Sequence, residues 1–239
     1  MEINEMQEQF LKIQNELRDA INPLDSFDLS EIKRIAGVDL AYWKQDGEEF
    51  AVCCMVVIDA VTHKIIEKKH FSGRIEVPYM PGFLAFRELP LVLETVKLLE
   101  NQPDIYVFDG NGYLHPRHMG IATHASFYLH KPTFGIAKTY FRVDKKTDFT
   151  MPDHEAGSYT DIVINNEVYG RALRTHTGVK PVFVSVGNNI SIDTACKLAL
   201  NLTDRESHIP IPTRYADLET HIEREKITSC ADADLEISF

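Results

Sequence analysis

The chain lacks any apolar run approaching the ~18 residues needed to span a bilayer, so a membrane-embedded protein is not expected. Its opening residues, MEINEMQEQFLKIQNEL, are acidic and polar, where a secretory leader would be basic and then apolar. A cytoplasmic or nucleoid location is the expectation. Cysteine is sparse: Cys53, Cys54, Cys196 and Cys230 show no zinc-finger or redox spacing. Buried free thiols in a reducing compartment are expected, with the adjacent Cys53 and Cys54 on opposite faces of one strand. Internal repeats and low-complexity tracts are also missing.

Positive charge is scarce. The net charge of −11 argues against a nucleic-acid partner, because phosphate binding ordinarily leaves a basic footprint. The deficit is confined to the ends, however. Residues 1–33 hold eight acids against three bases, and residues 215–239 hold seven against two, so the stretch between is nearly neutral. That middle carries Lys68, Lys69, Arg74, Arg117, Lys138, Arg142, Lys145 and Lys146.

What is present reads as one folded α/β domain over residues 1–239, with a core over 34–226 and a loose acidic tail over 227–239. Met6, Phe10, Ile13, Leu17 and Ile21 recur at helical spacing before Pro23. Three β-type runs follow, IAGVDLAY (35–42), EFAVCCMVVID (49–59) and KIIEKKHFSG (64–73), with short polar breaks that predict two hairpins. PYMPGF (78–83) is a shaped loop and 85–99 a helix. DIYVFDG (104–110) is a strand, and GNGYLHPRHMG (110–120) a loop entering a helix that ends near His130. PTFGIAK (132–138) and PVFVSVG (181–187) are strands, and 157–176 a hairpin turning at Asn165–Asn166. Helices are predicted over 190–202 and 214–225. Hairpins followed by strand–helix alternation predict a mixed β-sheet flanked by helices, with chemistry at the carboxyl ends of strands.

Acids at those ends are the candidates. Asp39 interrupts an apolar strand, where a carboxylate needs a partner or a metal. Asp109 closes IYVFDG. Glu88 and Asp193 open helices, where the helix dipole alone would explain them. Together the four suggest a carboxylate nest for a hard cation such as Mg²⁺, suited to activating water and stabilising a leaving phosphodiester oxygen. His115 and Arg117 lie on the glycine-flanked loop after Asp109, and Lys138 ends a strand, so a titratable imidazole and two cations could serve phosphate chemistry. Tyr79, stiffened by Pro78 and Pro81, could project as a wedge; a satellite-core tyrosine is the plain alternative.

Read together, GVDLAY, VPYMPGFLAFRE, VFDGNGYLHPRHMGIATH, TFGIAK, PVFVSVGNNISIDTA and IPIPTRYAD resemble the endonuclease V family, from about Ile35 to Arg224. The resemblance implies a ribonuclease H-like fold and a Mg²⁺-dependent DNA-repair endonuclease, with Mn²⁺ as a substitute. It would cut the second phosphodiester 3′ of deoxyinosine. By the same resemblance Asp39 and Asp109 are metal ligands, Glu88, His115 and Lys138 are catalytic, and Asp193 is an additional acid. Pro78, Tyr79, Met80 and Pro81 inherit a strand-separating wedge, and Gly82 the neighbouring pocket wall. Gly110 and Gly112 let backbone approach the flipped base. The implied partner is deoxyinosine-containing DNA, with inosine-containing RNA as a second substrate class, acted on by a monomer. Two departures stand out: Asn188–Asn189 follow Gly187 where the family often has titratable residues, and Met80 replaces a more usual isoleucine.

Overall fold

Asp46 and Gly47 both take left-handed backbone conformations, with φ of 51° and 80°. That is the two-residue turn that Asp-Gly favours between antiparallel strands. It joins β1 (Arg34–Gln45) to β2 (Glu48–Asp59), which pairs in turn with β3 (Ile65–Arg74). The computed structural model describes residues 3–144 and 146–236, so Lys145 lies outside the described residues. Asn165 and Asn166, at φ 52° and 65°, make the same kind of turn between β6 (Tyr159–Ile164) and β7 (Glu167–Leu173). All three expected hairpins are present, and in these two local turn chemistry dictates the turn.

With β4 (Ile105–Asp109), β5 (Thr133–Ala137) and β8 (Val182–Asn188), these strands form one eight-stranded sheet in the order β3-β2-β1-β4-β5-β8-β7-β6. The β1–β4 and β4–β5 pairs are parallel, whereas β5–β8 and β7–β8 are antiparallel. This mixed sheet, with helices on both faces, is of the ribonuclease H-like type expected. Alternate side chains of β1 serve different cores. Ile35 packs with Val56, Ile58 and Phe134 beneath α4 (Ile192–Asn201) and α5 (Ile211–Glu236). Ala36 and Val38 pack instead with Leu89, Val92 and Ala122 from α2 (Leu84–Lys97) and α3 (Ile121–Leu129). Burial on both faces explains why the strands read as continuous apolar runs. Cys53 and Cys54 are buried free thiols in different clusters, as is Cys196 in the α4 core; the Cys230 side chain lies outside those described.

One close approach positions the site. A Cβ on Gly37 would lie 2.0 Å from the carbonyl oxygen of Pro212. Only glycine lets the start of α5 rest on β1 this closely. The helix then carries its first turns across the carboxyl end of β1.

Two boundaries differ from expectation. The last helix runs from Ile211 to Glu236, not 214–225, so a tail that is loose from residue 227 is not what the backbone shows; residues 237–239 lie outside the described residues. No glycine or proline follows Pro212 to stop the helix. At the other end, α1 (Ile3–Arg18) lies outside the expected core yet is docked on it, with Phe10 stacked on Phe86 at 3.8 Å. No helix of the described residues is long and apolar enough to cross a membrane.

Candidate active site

Asp39 leaves the middle of β1, Asp109 ends the neighbouring parallel strand β4, and α5 brings Asp217 over both. Each of the three offers a carboxylate oxygen, and these oxygens lie within 4.8 Å of one another. Among the described residues no other cluster of this kind occurs. Asp217 escaped the sequence reading because an acid on an outer helix usually faces water. The signal for it was the small buried stripe Thr213, Ala216 and Thr220 beside it, which marks a closely packed helix face. Thr220 Oγ1 donates to the backbone carbonyl of Asp217 at 2.7 Å and lies 3.4 Å from Asp39 Oδ2, where helix and strand meet.

The cluster is short of positive charge. Burial pushes the Asp39 carboxyl up to about 8, and the charges of Asp109 and Asp217 add to the effect. Burial also raises Asp109, against the opposing pull of Lys138. Lys138 Nζ lies 2.6 Å from Asp109 Oδ2 and 2.8 Å from Asp217 Oδ2. Although burial opposes its charge, those two carboxylates hold its pKa above the ordinary lysine value. Three hard oxygen donors around unbalanced negative charge, without nitrogen or sulfur, are the donor set of a hard divalent cation.

Glu88 stands beside this cluster, not within it. Its Oε1 accepts from the Tyr42 hydroxyl at 2.7 Å. Burial lifts its carboxyl to about 7; Tyr42 and Arg87 oppose that rise and Asp109 assists it. Arg87 is buried, donating to Val77 O at 2.7 Å and Glu49 Oε2 at 2.8 Å. Asp193 is elsewhere, paired with Arg171 on β7, which also binds Asp161 at 2.7 Å. Its position in a first helical turn suggested a metal-site acid, but its side chain is taken up by that arginine.

Adjoining the acids is a pocket of about 140 Å³ lined by Tyr79, Gly82, Gly110, Asn111, His115 and Phe141, among others. Gly110 belongs to this wall and directly follows Asp109, so pocket and acid cluster share one turn of chain. Tyr79 is 68% exposed on the rim, flanked by exposed Pro78 and Pro81. Met80 departs from expectation: at 3% exposed it turns inward and fills the protein interior. Gly112 does as well, since a Cβ there would lie 2.1 Å from Val186 O, so its bareness serves packing on β8.

His115 and Arg117 were expected to face a phosphate, and both are occupied internally. His115 Nδ1 accepts the backbone N–H groups of Arg117 and Met119, each at 3.2 Å, which leaves Nε2 as the donor to Gly82 O at 3.2 Å. Burial, and then the charge of Arg117, push the imidazole down to about 3, so it is neutral. Arg117 donates through Nη2 to Gly82 O at 2.6 Å and through Nε to Gln14 Oε1 at 2.5 Å. Both residues fasten the rim loop. Asn188 is also structural: its side-chain oxygen accepts Asn22 N at 2.7 Å and Asn189 N at 3.0 Å, tying the N-terminal segment to β8.

Comparison with known proteins gives a consistent picture. A family model described as Endonuclease V matches residues 15–218. An Endonuclease V of Bacillus thuringiensis subsp. konkukian is 57% identical over 220 residues, covering 92% of this chain and 93% of the relative. The crystal structure of the Bacillus subtilis Endonuclease V superimposes with a TM-score of 0.90 at 55% identity, covering 93% of this chain and 94% of that one. Endonuclease V of Ciona intestinalis, solved with a 24mer DNA containing an inosine followed by a ribo-adenosine, superimposes with a TM-score of 0.80 at 30% identity, covering 93% and 99%.

Proposed function

The chain belongs to the endonuclease V family, and we propose that it is a magnesium-dependent repair nuclease cutting DNA at the second phosphodiester 3′ of deoxyinosine. The observation that carries this reading is the continuity of Asp109 with Gly110, which joins the acid cluster directly to a pocket rimmed by an exposed tyrosine. The inosine-containing DNA bound by the Ciona relative supports the choice of substrate.

Asp39, Asp109 and Asp217 would hold Mg²⁺, with Mn²⁺ as a substitute. Bound there, the cation supplies charge stabilisation for a phosphodiester and lowers the pKa of water. The remaining work falls to the chain. Lys138 stays protonated and can meet a phosphate oxygen once it leaves its two carboxylates. Glu88, poised near neutrality, can accept a proton from water. The pocket excludes water around a flipped base, and the ring of Tyr79 fills the gap left in the stack.

Labelled strands containing one inosine, as DNA and as RNA, incubated with Mg²⁺ or with EDTA, test the reading. Cleavage one nucleotide 3′ of inosine, dependent on Mg²⁺ and absent from an adenine control, is expected for DNA. Equal cutting of the adenine strand would refute it, and preferential cutting of the RNA would reassign the substrate.

A further inference from the structure

Gln14 is a glutamine with no exposed surface, and it is the buried residue of α1, a helix whose other positions are partly or fully exposed. Burying an amide in place of an apolar side chain is costly unless both its ends are paired. Both are. Nε2 donates to Gly82 O at 3.1 Å, and Oε1 accepts from Arg117 Nε at 2.5 Å.

The receiving atom explains why this matters. Gly82 O also accepts from Arg117 Nη2 at 2.6 Å and faces His115 Nε2 at 3.2 Å, so three donors from two distant segments converge on one carbonyl. Gly82 has φ of 80°, and a Cβ there would lie 2.8 Å from Arg117 Nη2, so the chain is held where only glycine fits. Tyr79 stands three residues before this anchor, and Gly82 is itself a wall of the pocket. The other end of the same loop is fixed by Arg87 on Val77 O. Phe10, stacked on Phe86, seats α1 so that Gln14 meets the loop.

The geometry points to Gln14 as a positioning residue that sets the wedge: α1 locks the Gly82 carbonyl and the Arg117 guanidinium, and so fixes where Tyr79 stands. Gln14 itself touches no substrate. It lies just outside the family-model match, which begins at residue 15. The inference rests on Tyr79 acting as the wedge in the function proposed above.

Two substitutions test it. Gln14→Leu keeps the volume and removes both hydrogen bonds; Gln14→Glu is nearly isosteric and keeps an acceptor for Arg117, but sets a carboxylate oxygen against the Gly82 carbonyl where the amide donated. Cleavage of inosine in duplex and in single-stranded DNA is measured for each, with Tm recorded, and 2-aminopurine beside the inosine reports unstacking. Both variants are expected to lower the duplex-to-single-strand efficiency ratio about tenfold, as loss of a hydrogen bond to a buried partner implies, and to reduce the 2-aminopurine signal on duplex. A ratio equal to wild type, or an equal loss on both substrates, overturns the role. A wild-type enzyme indifferent to inosine would instead refute the proposed function.

Discussion

The ammonium of Lys138 lies 2.6 Å from Oδ2 of Asp109, closer than its contact with any other acid, and 2.8 Å from Asp217. One positive charge therefore occupies carboxylate oxygens that a divalent cation would also claim. Removing it leaves the acids with an unopposed demand for a cation. Lys138→Ala is expected to bind Mg²⁺ more tightly, by about tenfold on the Coulomb energies of such pairs at a partly exposed site. Cleavage should nevertheless fall, because the phosphate loses its cationic partner. Calorimetric titration with Mg²⁺ and single-turnover cleavage read the two effects separately. Weaker Mg²⁺ binding in the variant would show that Lys138 builds the cation site and does not compete for it.

Tyr79 as a wedge predicts a substrate-dependent defect. Base–aromatic stacking contributes ~1–3 kcal/mol, so Tyr79→Ala should weaken productive binding to inosine in duplex DNA by about one to two orders of magnitude. Single-stranded inosine DNA needs no strand separation and should suffer less. The ratio of the two efficiencies, wild type against variant, is the measurement. Equal losses would make Tyr79 a support of the pocket.

His124 predicts how stability responds to acid. It is fully buried and packs perpendicular to Phe86 with ring centroids 4.6 Å apart, neither ring nitrogen has a partner among the described residues, and burial pushes its pKa down to about 4. The unfolded chain takes up this proton near the ordinary histidine value, so the contribution is complete above about pH 6.5 and is lost as pH falls toward 4. His115, pushed down to about 3, acts with the same sign. Urea unfolding near neutrality and at about pH 5 should show a loss of which His124 accounts for about 2 kcal/mol. His124→Leu should remove that share, and an undiminished loss in the variant would contradict the assignment.

Features decided locally were readable in the sequence. Asp46–Gly47 and Asn165–Asn166 announce their turns, and Asp39 within an apolar strand announces a carboxylate that needs a reason. Features decided by partners far along the chain were not. Asp217 reaches the site because Gly37 admits Pro212, a contact between the first strand and the last helix. Asp193 has the same helix-start signature as a site acid, and only the fold brings Arg171 to it. His115 and Arg117 carry the residue types of phosphate chemistry, yet the carbonyl of Gly82 and the amide of Gln14 claim them. Residue type suggested chemistry; the pairing of donors and acceptors decided it.

If Asp39, Asp109 and Asp217 hold one cation together, Asp217 is the ligand whose loss is most telling, because neither strand position nor apolar context suggested it. Asn at this position keeps the shape of the side chain and removes its charge. The decisive measurement is the Mg²⁺-dependent cleavage rate of an inosine-containing DNA strand by Asp217→Asn, alongside its affinity for that strand. The rate is expected to fall about a hundredfold or more, as loss of a ligand to a catalytic cation implies, with affinity for the strand retained. A variant that cuts at close to the wild-type rate would contradict the three-carboxylate site.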